Sequence, residues 1–215
     1  MTAHLKIDFV SDVSCPWCAI GLTSLESALA RVAPDVTAEL HFQPFELNPQ
    51  MAPEGEDTIE HLTRKYGITP EQCERNAEAI RLRGETVGFT FGKGKRRRVY
   101  NTFDAHRLLH WAGLVGRQRE LKHALLRAYF TEGENPSDAA LLVRVAGEAG
   151  LDRERAAAIL ASQEFADAVR ERERFWLDQG IHSVPAVIID ERHLIQGGQP
   201  IEVFERALRQ LATSA

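Results

Sequence analysis

The first fifty residues alternate between patterns typical of strands and of helices. Residues 5–9 place apolar and polar side chains at period two, which predicts a β-strand. Apolar positions between residues 15 and 31 recur at helical spacing, and Pro34-Asp35 marks the end of that helix. Residues 36–45 alternate again and predict a second strand. A strand, a helix and a strand in this order predict two parallel strands joined by a right-handed crossover.

Residues 55–180 have a helical pattern throughout. Asp57-Thr58 begins one helix, and Thr69-Pro70 begins another with proline at the first helical position, where its missing N–H would have no partner. Residues 84–99 carry four glycines and a basic run, and they predict a loop. Trp111 and Trp176 are predicted to lie in the core of this helical part. Further helices are predicted over residues 101–115, 117–131, 137–149, 152–161 and 164–179, with glycines at positions 116, 133, 150 and 180 as C-terminal stops.

Strand character returns at the end of the chain. Residues 186–189 are apolar and mostly β-branched, which predicts a buried strand. Residues 193–195 follow a short polar turn and predict the second strand of a hairpin. Residues 200–211 predict an amphipathic helix whose apolar face carries Ile201, Phe204, Leu208 and Leu211.

The two ends of the chain therefore predict an α/β fold with one shared sheet. Two or three strands are marginal by themselves, so the N-terminal half, residues 1–50, needs the strands of the C-terminal half, residues 179–215. Residues 51–178 are predicted to form an all-helical domain inserted between these halves. The N-terminal half has the order βαβ, and the C-terminal half has the order ββα.

The composition is that of a folded globular chain. Of 215 residues, 44% are hydrophobic and 27% are charged, which excludes an intrinsically disordered protein. The longest apolar run, residues 184–189, is far shorter than the roughly 18 residues that a membrane helix needs, so we expect no membrane span. The N-terminus lacks the basic and apolar regions of a signal peptide, which predicts a cytoplasmic protein. Acidic residues outnumber basic ones by 31 to 26, which disfavours nucleic acid as a partner.

The segment Cys15-Pro16-Trp17-Cys18 lies between a predicted strand and a predicted helix. Within a βαβ pattern, two cysteines at this spacing indicate a redox motif. Cys15 would lie at the N-cap, where the partial positive charge of the helix lowers a thiol pKa from about 8.5 to between about 3.5 and 7.5. Cys18 would lie one turn later and deeper. These positions predict Cys15 as the attacking nucleophile and Cys18 as the resolving thiol.

Other roles for the cysteines remain open at this point. Three cysteines cannot form a disulfide framework, although Cys15 and Cys18 could be structural. A zinc site needs four ligands, usually from two such pairs, and Cys73 is the one further cysteine in the sequence. We therefore expect no metal and no bound cofactor. The charged surroundings of Cys73 in the sequence favour a spectator role.

The segment from Gly180 to Pro185 precedes the predicted strand 186–189. Together with the cysteine pair it resembles DsbA-like thioredoxin-fold oxidoreductases, in which a cis-proline begins a strand beside the redox motif. Residues 101–107 and 193–200 resemble the FrnE-like dithiol–disulfide isomerase branch, which is related to 2-hydroxychromene-2-carboxylate isomerase and kappa-class glutathione transferase. The resemblance implies a thioredoxin fold with a large helical insertion. It also implies a cis Val184–Pro185 bond that leaves the Val184 backbone free to pair with a substrate.

The resemblance implies a thiol–disulfide oxidoreductase or isomerase acting on protein or small-molecule thiols and disulfides. Cys15 and Cys18 would be catalytic. Kappa-class transferases and chromene isomerases usually carry serine at the position of Cys15, which favours dithiol chemistry here. Periplasmic DsbA proteins carry histidine at the position of Trp17, so a less oxidising pair is expected. The residues implied in substrate binding are Pro16, Trp17, Asn101, Val184 and Pro185.

Two other function classes stay open on the sequence. One is a glutathione-dependent isomerase or transferase, with glutathione as co-substrate; the other is a peptide-binding chaperone without redox turnover. The basic run at residues 93–98 predicts a solvated loop, or else a site for an anion such as a carboxylate of glutathione. His106 is predicted to be a packed or capping histidine. A homodimer is also left open.

Overall fold

The computed structural model describes residues 3–213, so residues 1–2 and 214–215 of the predicted terminal halves lie outside the described residues. The strands are β1 (Ala3–Ser11), β2 (Val36–Pro44), β3 (Glu56–Asp57), β4 (Arg98–Val99), β5 (Ala186–Ile189) and β6 (His193–Gln196). The helices are α1 (Pro16–Val32), α2 (Thr58–Tyr66), α3 (Pro70–Val87), α4 (Phe103–Leu114), α5 (Gln118–Leu126), α6 (Ala139–Glu148), α7 (Arg153–Leu160), α8 (Ala166–Asp178) and α9 (Ile201–Ala212), and Arg127–Glu132 is π-helical. Between residues 3 and 213, none of the helices has the length and hydropathy of a membrane span.

Strands from both ends of the chain form one sheet with the order β2-β1-β5-β6. β1 and β2 are parallel, with Ala3 opposite Val36 and Ser11 opposite Pro44. β5 runs antiparallel to β1, and β6 antiparallel to β5. The predicted βαβ unit, the hairpin and the shared sheet are confirmed. The central position of β1 explains why its last residues are buried although the sequence alternates at its start.

One face of the sheet is covered by the first and last helices. α1 contributes Leu22 and Leu25, and α9 contributes Phe204 and Leu208, all with 0% exposure. Ile201 is partly buried against the same core, so the predicted apolar face of the C-terminal helix is confirmed. Burying an aliphatic or aromatic side chain of this size stabilises a fold by roughly 1.5–3 kcal/mol relative to leaving it in water.

The opposite face of the sheet is covered by α8. Trp176 of this helix packs in a cluster with Val10, Ala186 and Ile188. The prediction that Trp176 belongs to the core of the helical part is therefore wrong, because α8 returns to the sheet. Trp111 does lie in the helical core, as predicted.

The helical part has a core of its own that meets the sheet beside the end of β1. Leu108 and Leu121 are fully buried in this second core, and Val13, which follows β1, belongs to it as well. Tyr129 and Phe130 of the π-helical segment pack instead into the core of the sheet. The segment between β1 and α1 thus lies where the two cores adjoin. The boundaries at residues 50 and 178 remain a prediction.

The prediction that residues 84–99 form a loop is wrong at both ends. α3 continues to Val87, so Gly84 lies inside this helix. A Cβ at this position would be 2.5 Å from the ring of Phe91, which explains why the residue is glycine. That glycine serves the packing of an aromatic ring on the helix. At the other end, Arg98–Val99 pairs antiparallel with Glu56–Asp57, so the insertion is not wholly helical. Strands of two residues are too short for a period of two to be seen in the sequence.

The helix starts predicted at Asp57-Thr58 and Thr69-Pro70 are confirmed by their caps. The Asp57 carboxylate accepts hydrogen bonds from the N–H groups of Ile59 and Glu60. Thr69 and Gln72 form a reciprocal capping box at the start of α3. The four glycines predicted as stops, at positions 116, 133, 150 and 180, all adopt positive φ angles.

Candidate functional site

The cysteine pair lies at the start of α1, directly after the central strand of the sheet. Cys15 is the N-cap residue, with φ −90° and ψ 114°, and Pro16 is the first helical residue. The C=O of Cys15 accepts hydrogen bonds from the N–H groups of Cys18 and Ala19, at 3.1 and 3.4 Å. Cys15 is 3% exposed and Cys18 is 0% exposed. Cys15 is thus the outer member of the pair, as the sequence predicts.

The segment before β5 lies against the outer cysteine. The Val184–Pro185 peptide bond is cis, as expected. The Cys15 thiol donates a hydrogen bond to the C=O of Val184, with 3.7 Å between Sγ and O. A Cβ on Gly21 would be 3.0 Å from Cγ of Pro185, so glycine at this position lets α1 approach the proline closely. The structure therefore brings Cys15, Val184 and Pro185 together although they are far apart in the chain.

The environment of Cys15 favours its thiolate. The hydrogen bond from the Cys18 thiol is the main cause that lowers the pKa of Cys15. Burial opposes this effect, while the N–H groups of Cys18 and Trp17 at the helix start support it. The sequence predicts the direction from the helix N-terminus alone. In the structure the Cys18 thiol lowers the pKa of Cys15 more than the backbone N–H groups do.

The pKa of the inner cysteine, Cys18, shifts in the opposite direction. Burial is the main cause that raises the pKa of Cys18 well above its ordinary value, and the hydrogen bond and charge of Cys15 add to it. The positive charge of Lys122 opposes the rise. The two thiols of the pair are therefore separated in acidity, as expected for an attacking and a resolving cysteine.

Comparison with known proteins agrees with this geometry. The family profile of the DSBA-like thioredoxin domain matches residues 6–209. The chain belongs to the DsbA-like thioredoxin family. This confirms the family resemblance and the fold predicted from the sequence.

Individual relatives match the DsbA-like chain over nearly its whole length. A probable DsbA oxidoreductase from Streptomyces coelicolor is 35% identical, with a TM-score of 0.90, over 98% of this chain and 91% of that one. The uncharacterized protein YwbO of Bacillus subtilis is 27% identical over 209 residues, which are 97% of this chain and 96% of that one. The cytosolic disulfide reductase DsbM from Pseudomonas aeruginosa, solved with GSH, is 17% identical, with a TM-score of 0.65, over 97% of this chain and 99% of that one. At 17% identity the likeness concerns the fold alone.

The acidity difference in the DsbA-like site predicts the order of alkylation. Iodoacetamide added to the reduced protein below about pH 7 is expected to label Cys15 first, because the thiolate is the reacting form. Peptide mapping by mass spectrometry after short reaction times measures the order. The Cys15→Ser variant serves as the control and should label slowly under the same conditions. Faster labelling of Cys18 or Cys73 would contradict the assignment.

A buried charged group lies beneath the cysteine pair and was not recognised from the sequence. Asp12 has 0% exposure, and its carboxylate accepts hydrogen bonds from the N–H groups of Ser14 at 3.1 Å and Leu47 at 2.7 Å. His106 Nε2 lies 3.6 Å from Asp12 Oδ1. Burial alone would raise the pKa of Asp12, but His106 and the two N–H groups outweigh it and lower this pKa to about 2. Asp12 is therefore an anion that fixes the turn leading to Cys15.

Lys122 of α5 is a further buried residue near Asp12 and the cysteine pair. Its side chain has 0% exposure, and within residues 3–213 its Nζ has no hydrogen-bond partner. Burial lowers the pKa of Lys122, while the charges of Cys18 and Asp12 raise it. The sequence does carry a signal for it, because Lys122 occupies a helical position between Leu121 and Leu125, which are core residues. A cation on the apolar face of a helix points to a buried role.

The basic segment reaches the site through one of its residues. Arg96 is half-buried, and its Nη2 donates to the C=O of Ser14 at 3.4 Å. Its Nε donates to the Tyr129 hydroxyl at 3.1 Å, which holds the side chain against the insertion. The other basic residues of the run are exposed. Lys93, Lys95 and Arg97 agree with the predicted solvated loop, whereas Arg98 belongs to β4.

The remaining residues with an implied role in binding lie in different surroundings. Trp17 is 43% exposed beside the buried Pro16, so its ring is accessible at the site. Asn101 uses its amide to donate to the C=O of Met51 at 3.2 Å and to accept from the N–H of Phe103 at 2.9 Å. Among the described residues these bonds tie Asn101 to the start of α4 rather than to the cysteines. Its role in binding stays a prediction.

Cys73 lies outside the site, in α3. It is 4% exposed, and its Sγ is 3.9 Å from the hydroxyl of Thr63. Because exchange requires one pair of thiols, Cys73→Ser is expected to keep disulfide reductase activity within about twofold of the wild type. Insulin reduction in the presence of dithiothreitol measures this. A loss of more than about tenfold in a folded variant would assign Cys73 a part in relaying the disulfide.

Proposed function

We propose that this DsbA-like protein is a thiol–disulfide oxidoreductase that works through the Cys15–Cys18 dithiol. The observation that carries the proposal is the position of the Cys15 thiol at the start of α1, 3.7 Å from the C=O of Val184. The lowered pKa of Cys15 supports a nucleophilic role. The exposed ring of Trp17 supports a surface on which a substrate can lie beside the thiol.

The reaction proceeds in two exchanges. The Cys15 thiolate attacks one sulfur of a substrate disulfide, forms a mixed disulfide, and releases the other substrate sulfur as a thiolate that takes up a proton. Cys18 then loses its proton, attacks Sγ of Cys15, and releases the second substrate thiol. The substrate gains two electrons and two protons, and the dithiol becomes a disulfide. The charge of Lys122 favours the Cys18 thiolate that the second exchange needs.

Reduction of insulin by dithiothreitol tests this function. Catalytic amounts of the wild-type protein are expected to accelerate precipitation of the insulin B chain over the uncatalysed rate. A peptide-binding chaperone would delay precipitation instead, because it would hold the released chain without turning it over. Absence of any acceleration, with Cys15 and Cys18 shown to be reduced at the start, would overturn the proposal.

A glutathione-dependent isomerase or transferase is the second candidate. Arg96 favours it, because its guanidinium lies beside Ser14 and can pair with a carboxylate of glutathione near Cys15. DsbM, whose fold is similar, was solved with GSH. Cys18→Ser separates the two candidates. Dithiol exchange is expected to stop at a mixed disulfide in this variant, whereas chemistry that uses bound glutathione does not need Cys18.

The setting of the reaction is part of the proposal. We place it in the cytoplasm; the similar DsbM is described as cytosolic. Protein disulfides and small-molecule disulfides are both proposed as substrates. A homodimer stays a prediction.

A further inference from the structure

A cavity of about 630 Å³ lies between the sheet and the helical part, apart from the cleft in which Cys15 meets Val184. Its walls come from four elements, namely β2, α4, α5 and α8. The buried residues His106 and Lys122 line it, and the exposed residues Leu114 and Phe175 line it as well. The cavity therefore extends from the surface down to the charged group beneath the cysteine pair.

Lys122, which lines this cavity, has a buried ammonium group without a hydrogen-bond partner among the described residues. His106 is 2% exposed and Lys122 is 0% exposed. Within residues 3–213, Lys122 Nζ has no hydrogen-bond partner, whereas His106 Nε2 lies 3.6 Å from the Asp12 carboxylate and is paired with it. A buried ammonium group without a partner is costly, and nitrogen donors of this kind bind an anion strongly when one is present.

The walls between the inner end and the surface combine further positive charge with apolar side chains. Arg172 of α8 adds a cation near the opening, with its guanidinium 5.3 Å from the ring centroid of Phe175. Phe42, Leu109 and Phe175 supply apolar surface. Of the lining residues, Lys122 and Arg172 are basic and Glu171 is acidic. The Asp12 carboxylate does not line the cavity, but it lies 3.6 Å from His106 and its charge acts on Lys122.

We propose that this cavity binds a small carboxylic acid with an apolar body, whose carboxylate pairs with Lys122. The volume of about 630 Å³ lies within the range of small-molecule pockets. The apolar walls select an aromatic or aliphatic acid over inorganic phosphate. The charge of Lys122 favours the Cys18 thiolate, so a bound acid that neutralises this charge would make that thiolate less favourable. The site goes beyond the proposed dithiol exchange, which needs no ligand here.

Titration calorimetry with benzoate as the probe tests the site. Benzoate is expected to bind the wild-type protein at a 1:1 ratio with a dissociation constant of roughly 1 mM or tighter. Lys122→Met, which keeps the length of the side chain and removes its charge, should weaken binding by at least about tenfold. Benzyl alcohol, which has the same ring without the charge, should also bind at least about tenfold more weakly than benzoate.

Matched variants on α8 locate the site independently of Lys122. Ala168→Phe places a ring in the wall of the cavity and should abolish benzoate binding. Arg172→Met should weaken binding, whereas Arg174→Met, which makes the same charge change outside the cavity, should leave it unchanged. Equal benzoate affinity of the wild type and folded Ala168→Phe, or equal affinity for benzoate and benzyl alcohol, would overturn the proposal. No disulfide substrate is present, so this outcome is independent of reductase activity.

Discussion

Replacing Cys15 by serine is expected to lower the rate of insulin reduction by at least about 100-fold, because a hydroxyl does not replace the thiolate as nucleophile in disulfide exchange. In the proposed mechanism both exchanges depend on Cys15. Its sulfur lies at the start of α1 and faces Val184, while Cys18 is buried behind it. The assay is the insulin reduction described above, run at equal protein concentrations.

A second variant distinguishes a loss of the nucleophile from a loss of folding. Cys18→Ser keeps the nucleophile, so it should accumulate a mixed disulfide with a substrate, which is visible as added mass under non-reducing conditions. Cys15→Ser should form no such adduct. If Cys15→Ser formed the adduct through Cys18, or kept more than about a tenth of the wild-type rate, the roles of the two thiols would have to be exchanged.

Asp12→Asn is expected to destabilise the fold by about 3–5 kcal/mol, because it removes a buried charge from partners that are arranged for it. The carboxylate accepts two hydrogen bonds from Ser14, at 3.1 and 2.9 Å, and one from the N–H of Leu47 at 2.7 Å. An amide would turn a donor toward at least one of these donors. Urea unfolding followed by circular dichroism measures the free energy of unfolding. Asp178→Asn, at an exposed position, should change it by less than about 0.5 kcal/mol.

The contribution of Asp12 also depends on pH with a definite sign. The folded-state pKa of about 2 lies below the ordinary value of 3.8, so the charged form is favoured by folding. The stabilisation is fully present above the ordinary value and is lost as the pH falls toward about 2. A shift of this size corresponds to roughly 2 kcal/mol. The stability difference between wild type and Asp12→Asn should therefore shrink as the pH is lowered from about 5 to about 3, and a constant difference would contradict the assignment.

The local sequence pattern was sufficient to predict most of the strands and helices. The period of two in β1 and β2, the helical spacing in α1 and the caps at Asp57 and Thr69 act within one or two turns of the chain. The same holds for the placement of Cys15, since a strand, a turn and a proline at the first helical position define a helix start. The resemblance to the DsbA-like family then supplied the expectation of a cis-proline beside the pair.

Long-range packing decided where the local pattern misled. Gly84 suggested a loop, although it lies in a helix on which a phenylalanine ring packs. Trp176 suggested the helical core, although α8 crosses to the sheet. In both cases the deciding neighbour is outside the segment, so no periodicity within the segment could reveal it.

The sequence by itself determined the α/β class, the shared sheet, the helical insertion and the position of the cysteine pair at a helix start. Only the tertiary structure placed Asp12, His106 and Lys122 together beneath that pair, and only it brought Arg96 to Ser14. The physical reason is that secondary structure follows from contacts between near neighbours in the chain. Burial raises the pKa of Cys18, and pairing with His106 lowers the pKa of Asp12. Both effects depend on residues that become neighbours only when the sheet and the insertion pack together.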